Sequence, residues 1–186
     1  YDTLLKKFKG SILIVDDGST DNTQNYIETH FNHIVYCRNP FESGYQHCFN
    51  QAIKLITTRY VLVMDPHITC HQLSIKDCIE TMIAQQLWLL SLPIKYSNSS
   101  KQYTSFYWND LQLQLHPTAK TNKLSINEAM IIDTQRLPQL NQLNVMFYSP
   151  KYAWFDLAFK GVQLGQQAAY FHMCLLQKNL TEPSFF

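Results

Sequence analysis

Residues 12–23 read ILIVDDGSTDNT, and the reading of this stretch decides the fold. Four β-prone apolar residues run into two adjacent carboxylates, Asp16 and Asp17. Gly18, Ser19 and Thr20 then make a tight turn, and Asp21 opens a helical pattern. In an open α/β sheet, ligands bind just outside the carboxyl ends of the strands. Acids placed there do no packing and cost desolvation if buried. They are candidates for contacting a cation or a ligand's hydrogen-bond donors.

Outward from this stretch the pattern repeats. Residues 11–15 predict a strand, and Asp21 with Gln24 has the spacing of a capping box for a helix over 22–30. Residues 33–37 (HIVYC) predict a short strand, and 38–43, with Pro40, a loop. From Tyr45 the apolar residues Cys48, Phe49, Ala52, Ile53 and Ile56 keep helical spacing. Residues 60–64 (YVLVM) predict a strand ending at Asp65. Ile75, Cys78, Ile79, Met82 and Ile83 mark a helix, and 87–92 (LWLLSL) a buried strand. Strand alternating with helix argues for a mostly parallel central sheet with helices on both faces, an α/β fold. Residues 96–124 are less regular. Beyond them the sequence predicts a strand at 128–132, a helix over 154–165 closed by Gly165, and a last strand at 167–172. No repeat or linker divides the chain, so residues 1–186 read as a single domain.

Bulk properties narrow the class. A chain of 186 residues, 46% hydrophobic, can bury a real core. A net charge of +1 implies no broad attraction to nucleic acid or anionic membrane. The five cysteines are odd in number, form no CxxC and sit partly in apolar runs, which points to free thiols in a reducing compartment. No apolar run approaches the roughly 20 residues of a membrane span, and no signal peptide is visible. Tyr1 in place of an initiator Met suggests a fragment or a processed product.

Asp16, Asp17 and Asp65 all fall at carboxyl ends of predicted strands, where they would converge on one crevice. The bland alternative is that each caps a loop. His67 pairs with Asp65 in Asp65–Pro66–His67; a carboxylate and an imidazole make a workable half-shell for Mn²⁺, and the alternative is a polar loop residue. His67 and His71 also have i, i+4 spacing, but with no third ligand nearby they do not make a zinc site.

These residues carry a resemblance. VDDGSxDxT at 15–23 resembles the nucleotide-binding signature of family-2 glycosyltransferases. Arg38-Asn39-x4-Gly44-x5-Asn50 is similar to that family's pattern after its second strand. Phe155-Asp156-Leu157-x2-Lys160-x4-Gly165 resembles its late helix. The Asp-x-His at 65–67 replaces the family's usual Asp-x-Asp and resembles that of polypeptide N-acetylgalactosaminyltransferases. The likeness covers roughly residues 4–172. It implies a Rossmann-like GT-A fold and transfer of a sugar from a nucleotide-diphosphate donor to a hydroxyl on a saccharide or glycolipid. It further implies nucleotide contacts from Asp16, Asp17, Ser19, Arg38, Gly44, Asn50 and Asp65. Mn²⁺ or Mg²⁺ would be held by Asp65 and His67, with His172 on the last strand as a third ligand. Family-2 enzymes invert the anomeric carbon and the Asp-x-His enzymes retain it, so stereochemistry stays open. Family frequency suggests envelope polysaccharide or glycolipid assembly, a cytoplasmic location at the inner face of the membrane, and peripheral membrane contact.

The chain departs from the family pattern twice. The Glu-Asp pair that normally supplies the base falls on Ala153 and Trp154, which leaves Asp156 either as catalytic base or as a structural acid orienting Lys160. Residues 1–10 look like the end of the family's first helix, so the first strand is expected to be missing. Both departures favour an alternative, a non-catalytic sugar-nucleotide-binding domain. A phosphoacceptor receiver domain also opens with ILIVDD, but it has no use for GSTD, and no Lys-Pro ends a late strand here.

Overall fold

The computed structural model describes residues 10–96, 105–109, 112–116, 128–137, 140, 142–171 and 175–178. The element order is β1 (Leu13–Asp16), α1 (Thr23–His30), β2 (Val35–Arg38), α2 (Tyr45–Leu55), β3 (Tyr60–Met64), β4 (Ile68–Gln72), α3 (Ile75–Ala84), β5 (Leu87–Ser91) and β6 (Ile94–Tyr96). Then follow the hairpin β7 (Ser105–Asn109) and β8 (Gln112–His116), β9 (Ala129–Asp133), α4 (Pro150–Gln163), β10 (Gln167–Tyr170) and β11 (Leu175–Lys178).

The centre is a four-stranded sheet in the order β10-β5-β9-β3. Its strands are apolar on both faces, and their period-two alternation sorts the side chains into two cores. Met130 and Ile132, with Val61 and Val63, face a core completed by Phe49 from α2 and by Trp154 and Leu157 from α4. Ala129 and Ile131, with Leu62 and Met64, face a second core completed by Cys78 and Met82 from α3 and by Ile68, Ile94 and Leu176. Those last three residues belong to a small sheet ordered β4-β11-β6. β1 and β2 pair in parallel, and Ile27 of α1 with Phe31 just after that helix covers them.

The expected α/β class holds, with a more mixed sheet than strand–helix alternation suggests. β10 is parallel to β5, but β9 runs antiparallel to both β5 and β3. The start of β9 thus lies beside the end of β3, with Ala129 opposite Met64 and the Asp65 amide donating to the Glu128 carbonyl at 2.9 Å.

Local differences have local causes. Asp21 accepts from the Thr23 amide (3.0 Å) in an Asx turn, so α1 starts one residue late. Gln24 then donates to Glu28 at 2.9 Å instead of closing a capping box. β2 includes Arg38, because the Val35 amide pairs with the Ile12 carbonyl (2.9 Å) and the Asn39 amide with that of Asp16 (2.8 Å). α4 begins at Pro150, a residue suited to a first helical turn, four positions before the expected start. It ends as expected: Gly165 takes φ +71°, and the Gln166 amide reaches back to the Gly161 carbonyl at 2.8 Å. The expected last strand is present over Gln167–Tyr170, while His172 and Cys174 lie outside the described residues. Cys37, Cys48, Cys70 and Cys78 are free thiols, and no described helix is long and apolar enough to cross a membrane.

Candidate functional site

The two acids after β1 have different tasks. Asp16 is the last residue of the strand and is buried. Its Oδ1 accepts from the Ser19 amide at 2.8 Å, and its Oδ2 accepts from the Tyr36 hydroxyl, with the Arg38 Nε 3.6 Å away. Arg38 also donates to the Ser19 carbonyl at 2.8 Å, closing a ring around the turn. Burial pushes the Asp16 carboxyl upward, but the bonds from Ser19 and Tyr36 and the Arg38 charge outweigh it and hold the group below its ordinary value.

Asp17 faces the other way and organises the loop before α2. Its Oδ1 accepts from the Ser43 amide at 2.8 Å and from Asn39 Nδ2 at 3.1 Å, and its Oδ2 from the Gly44 amide at 2.7 Å. Burial again raises its pKa, and the bonds from Ser43, Asn39, Cys48 and Gly44 more than reverse it. Gly44 brings its amide to this carboxylate. Gly18 carries the second close approach. At φ +82°, a Cβ there would lie 2.8 Å from the Phe41 carbonyl carbon.

Asn50 clamps the backbone of Leu143, accepting from its amide at 2.9 Å and donating to its carbonyl at 2.8 Å. One turn earlier Gln46 donates to the Phe147 carbonyl at 2.7 Å. α2 therefore fixes the segment leading into α4. A polar pocket of about 390 Å³ opens alongside, lined by Asn39, Ser43, His47, Asn50 and Lys54 among others.

At the end of β3, Asp65 is buried. Its Oδ1 accepts from the His67 amide at 2.7 Å and lies 3.2 Å from His67 Nδ1. Its Oδ2 accepts from Lys178 Nζ at 2.9 Å, and the same ammonium donates to Glu128 Oε2 at 2.8 Å. Lys178 is 2% exposed, so the three charges form a buried acid–base–acid bridge. Tyr45, at the start of α2, feels it: burial first, then the charges of Asp65 and Glu128, push its phenol well above the ordinary value.

The oxygen and nitrogen offered by Asp65 and His67 fit a hard divalent ion. A 3.2 Å separation is about what adjacent ligands show on a six-coordinate ion with bonds near 2.1–2.2 Å. Among the described residues no cluster of three His, Cys, Asp or Glu side chains suits a metal. His71 falls on β4, extended away from His67.

On α4, Ala153 and Trp154, which occupy the places of the usual Glu-Asp pair, are fully buried. The Trp154 ring meets Phe49 edge-on (centroids 4.8 Å apart), and its Nε1 donates to the Tyr45 hydroxyl at 3.3 Å. Asp156, half-buried, accepts from Lys160 Nζ at 2.6 Å, one turn away.

The structure thus gathers Asp16, Ser19 and Arg38 around one turn, Asp17 and Gly44 around the next loop, and Asp65 with His67 at β3. Sequence reasoning missed Glu128 and Lys178. The signal for Lys178 was available: in LLQK at 175–178 it shares a strand face with Leu176, which is fully buried.

The model of the family described as glycosyl transferase family 2 matches residues 6–158. The chain belongs to this family. Membership sets the receiver reading aside. Among curated protein sequences nothing matches. Solved structures similar in fold include GalNAc-T7 with UDP, GalNAc and Mn²⁺, at TM-score 0.70 and 12% identity over 94% of this chain and 38% of that one. TarS 1–349 of S. aureus in complex with UDP-GlcNAc is similar at TM-score 0.70 and 15% identity, over 99% of this chain and 54% of that one. S. aureus TarS itself is covered to 33%, so the chain spans about a third to two-fifths of the length of these glycosyltransferases, and at such identities the likeness establishes the shared GT-A fold.

Proposed function

We propose that this family-2 domain transfers a sugar from a nucleoside-diphosphate donor to a hydroxyl acceptor, with a divalent ion assisting. The observation that carries the reading is the buried Asp65 with His67 beside it, at the carboxyl end of β3 in the four-stranded sheet. Asp65 Oδ1 and the His67 imidazole would hold Mn²⁺ or Mg²⁺, which neutralises the diphosphate as it leaves. Asp16, Asp17, Ser19, Arg38, Gly44 and Asn50 shape the nucleotide side, with Asp17 and Gly44 setting the loop and Arg38 the only cation of the set. Asp156 is the proposed base. It takes the proton of the acceptor hydroxyl while the new C1–O bond forms and the C1–O bond to diphosphate breaks. Met146 and Tyr148 stand exposed on the segment held by α2, and Tyr152 on the first turn of α4, which supports a glycolipid acceptor and peripheral membrane contact.

One observation favours a second reading, a binder without turnover. The place of the usual base pair is filled by a buried indole, and Asp156 is engaged by Lys160. Calorimetric titration with UDP-sugars, with and without Mn²⁺, combined with chromatography of released UDP, separates the two. Transferase activity requires metal-dependent binding and UDP release. Asp156→Asn should lower turnover about 10²–10⁴-fold with donor affinity unchanged. Binding without release on any acceptor supports the binder, and normal turnover by Asp156→Asn removes the base assignment.

A further inference from the structure

Lys178 has no part in the chemistry above, yet its ammonium is the most deeply buried charge beside it. It reaches the site from β11, the strand between β4 and β6, 113 residues after Asp65 in sequence and 50 after Glu128. It bonds Asp65 Oδ2 at 2.9 Å and Glu128 Oε2 at 2.8 Å. Two buried carboxylates this close to one point need a cation between them, or one must take up a proton. Here the cation is built into the chain.

We propose that Lys178 is a positioning residue that limits the ion site to Asp65 Oδ1 and His67. The inference rests on the metal part of the reading above. By occupying Asp65 Oδ2 and Glu128, the ammonium denies the ion a second carboxylate oxygen and a third side chain. It also places a fixed positive charge next to the site. Two protein donors alone hold Mn²⁺ or Mg²⁺ weakly, so the shell is completed by oxygens of the donor's diphosphate. Ion and donor then bind together, and the protein without donor does not collect metal. Glu128 divides the ammonium's attraction, so that Asp65 stays available to the ion.

The test is Mn²⁺ binding to the intact chain without nucleotide, followed by electron paramagnetic resonance and by thermal unfolding. Lys178→Met leaves Asp65, with His67 on its other oxygen, and Glu128 facing the vacated point. It should bind Mn²⁺ at least tenfold more tightly than wild type, and Mn²⁺ should raise its melting temperature more. Lys178→Arg should behave as wild type. Adding Glu128→Gln to Lys178→Met should abolish the gain. A Lys178→Met protein that folds only with Mn²⁺ supports the proposal, since metal then does the ammonium's work. A folded Lys178→Met protein with wild-type or weaker Mn²⁺ affinity overturns it, because a purely structural lysine would change stability alone. If Lys178→Met folds under neither condition, Glu128→Gln decides. Lys178 then turns wholly to Asp65 and Mn²⁺ affinity should fall several-fold; unchanged affinity overturns the proposal. Failure of every form to release UDP would count against the transferase reading and leave this comparison intact.

Discussion

Replacing Asp17 by Asn removes one oxygen and one charge and almost no volume. Beside the Cys48 thiol, the carboxylate accepts hydrogen bonds from the Ser43 amide (2.8 Å), the Gly44 amide (2.7 Å) and Asn39 Nδ2 (3.1 Å). The amide of Asn has a single acceptor oxygen. If it faces Ser43 and Asn39, its NH₂ is set against the Gly44 N–H; flipped, it is set against the other two. At least one donor loses its partner, and the remaining bonds lose their ionic character. A hydrogen bond to a charged group contributes about 1.5–3 kcal/mol, and its neutral counterpart about half. The sum for this site is about 3 kcal/mol. For a chain of this size that lowers the melting temperature by roughly 6–12 °C. Amide hydrogen exchange at Ser43 and Gly44 should accelerate before global unfolding, since the local loop loses its anchor.

The pH dependence checks the charge. The Asp17 pKa is lowered in the folded protein. Its contribution is therefore complete above the unfolded carboxylate value of about 3.9 and is lost as pH falls through the folded value. The stability gap between wild type and Asp17→Asn should be full at neutral pH and shrink only below about pH 4. An Asp17→Asn protein within about 0.5 kcal/mol of wild type at pH 7, with unchanged exchange at Ser43 and Gly44, would refute the assignment of Asp17 as the loop's anchor.

Asn50→Ala should cost about 3 kcal/mol in urea unfolding, because both backbone groups of buried Leu143 lose their partner; Asn50→Asp, which sets a buried carboxylate oxygen against the Leu143 carbonyl, should cost at least as much. Gly18→Ala should lower stability by about 2 kcal/mol, since it adds a Cβ 2.8 Å from Phe41 backbone at a positive φ, and a crystal structure should show the loop at Phe41 displaced.

Local chemistry was legible in the sequence where it depends on residues close together. The apolar run into Asp16 and Asp17, the helix from Tyr45, the strand into Asp65 and the Gly165 cap all stand within a residue or two of where the pattern puts them. Their signals are periodicity and the special backbone freedom of glycine, which act over a few residues. The capping box failed on a single position, because Asp21 made the shorter bond to Thr23. The direction of β9 was not legible, since its four apolar residues, Ala129 to Ile132, read the same in either direction and only the long connection before them sets how they enter the sheet.

That direction shapes the site. Pairing β9 antiparallel to β3 places the residue before β9 beside the residue after β3, and these are Glu128 and Asp65. A parallel strand would bring its other end, with Asp133, to this edge. In the observed pairing Asp133 lies at the far edge, where Arg59 reaches it at 3.1 Å. The reversed strand therefore sets a second acid against Asp65 and creates the need for a cation that Lys178 meets. Strand direction, through this charge pairing, would set how many carboxylate oxygens remain for a metal at the proposed site. That site would then depend on the sheet topology as much as on the Asp65–Pro66–His67 motif.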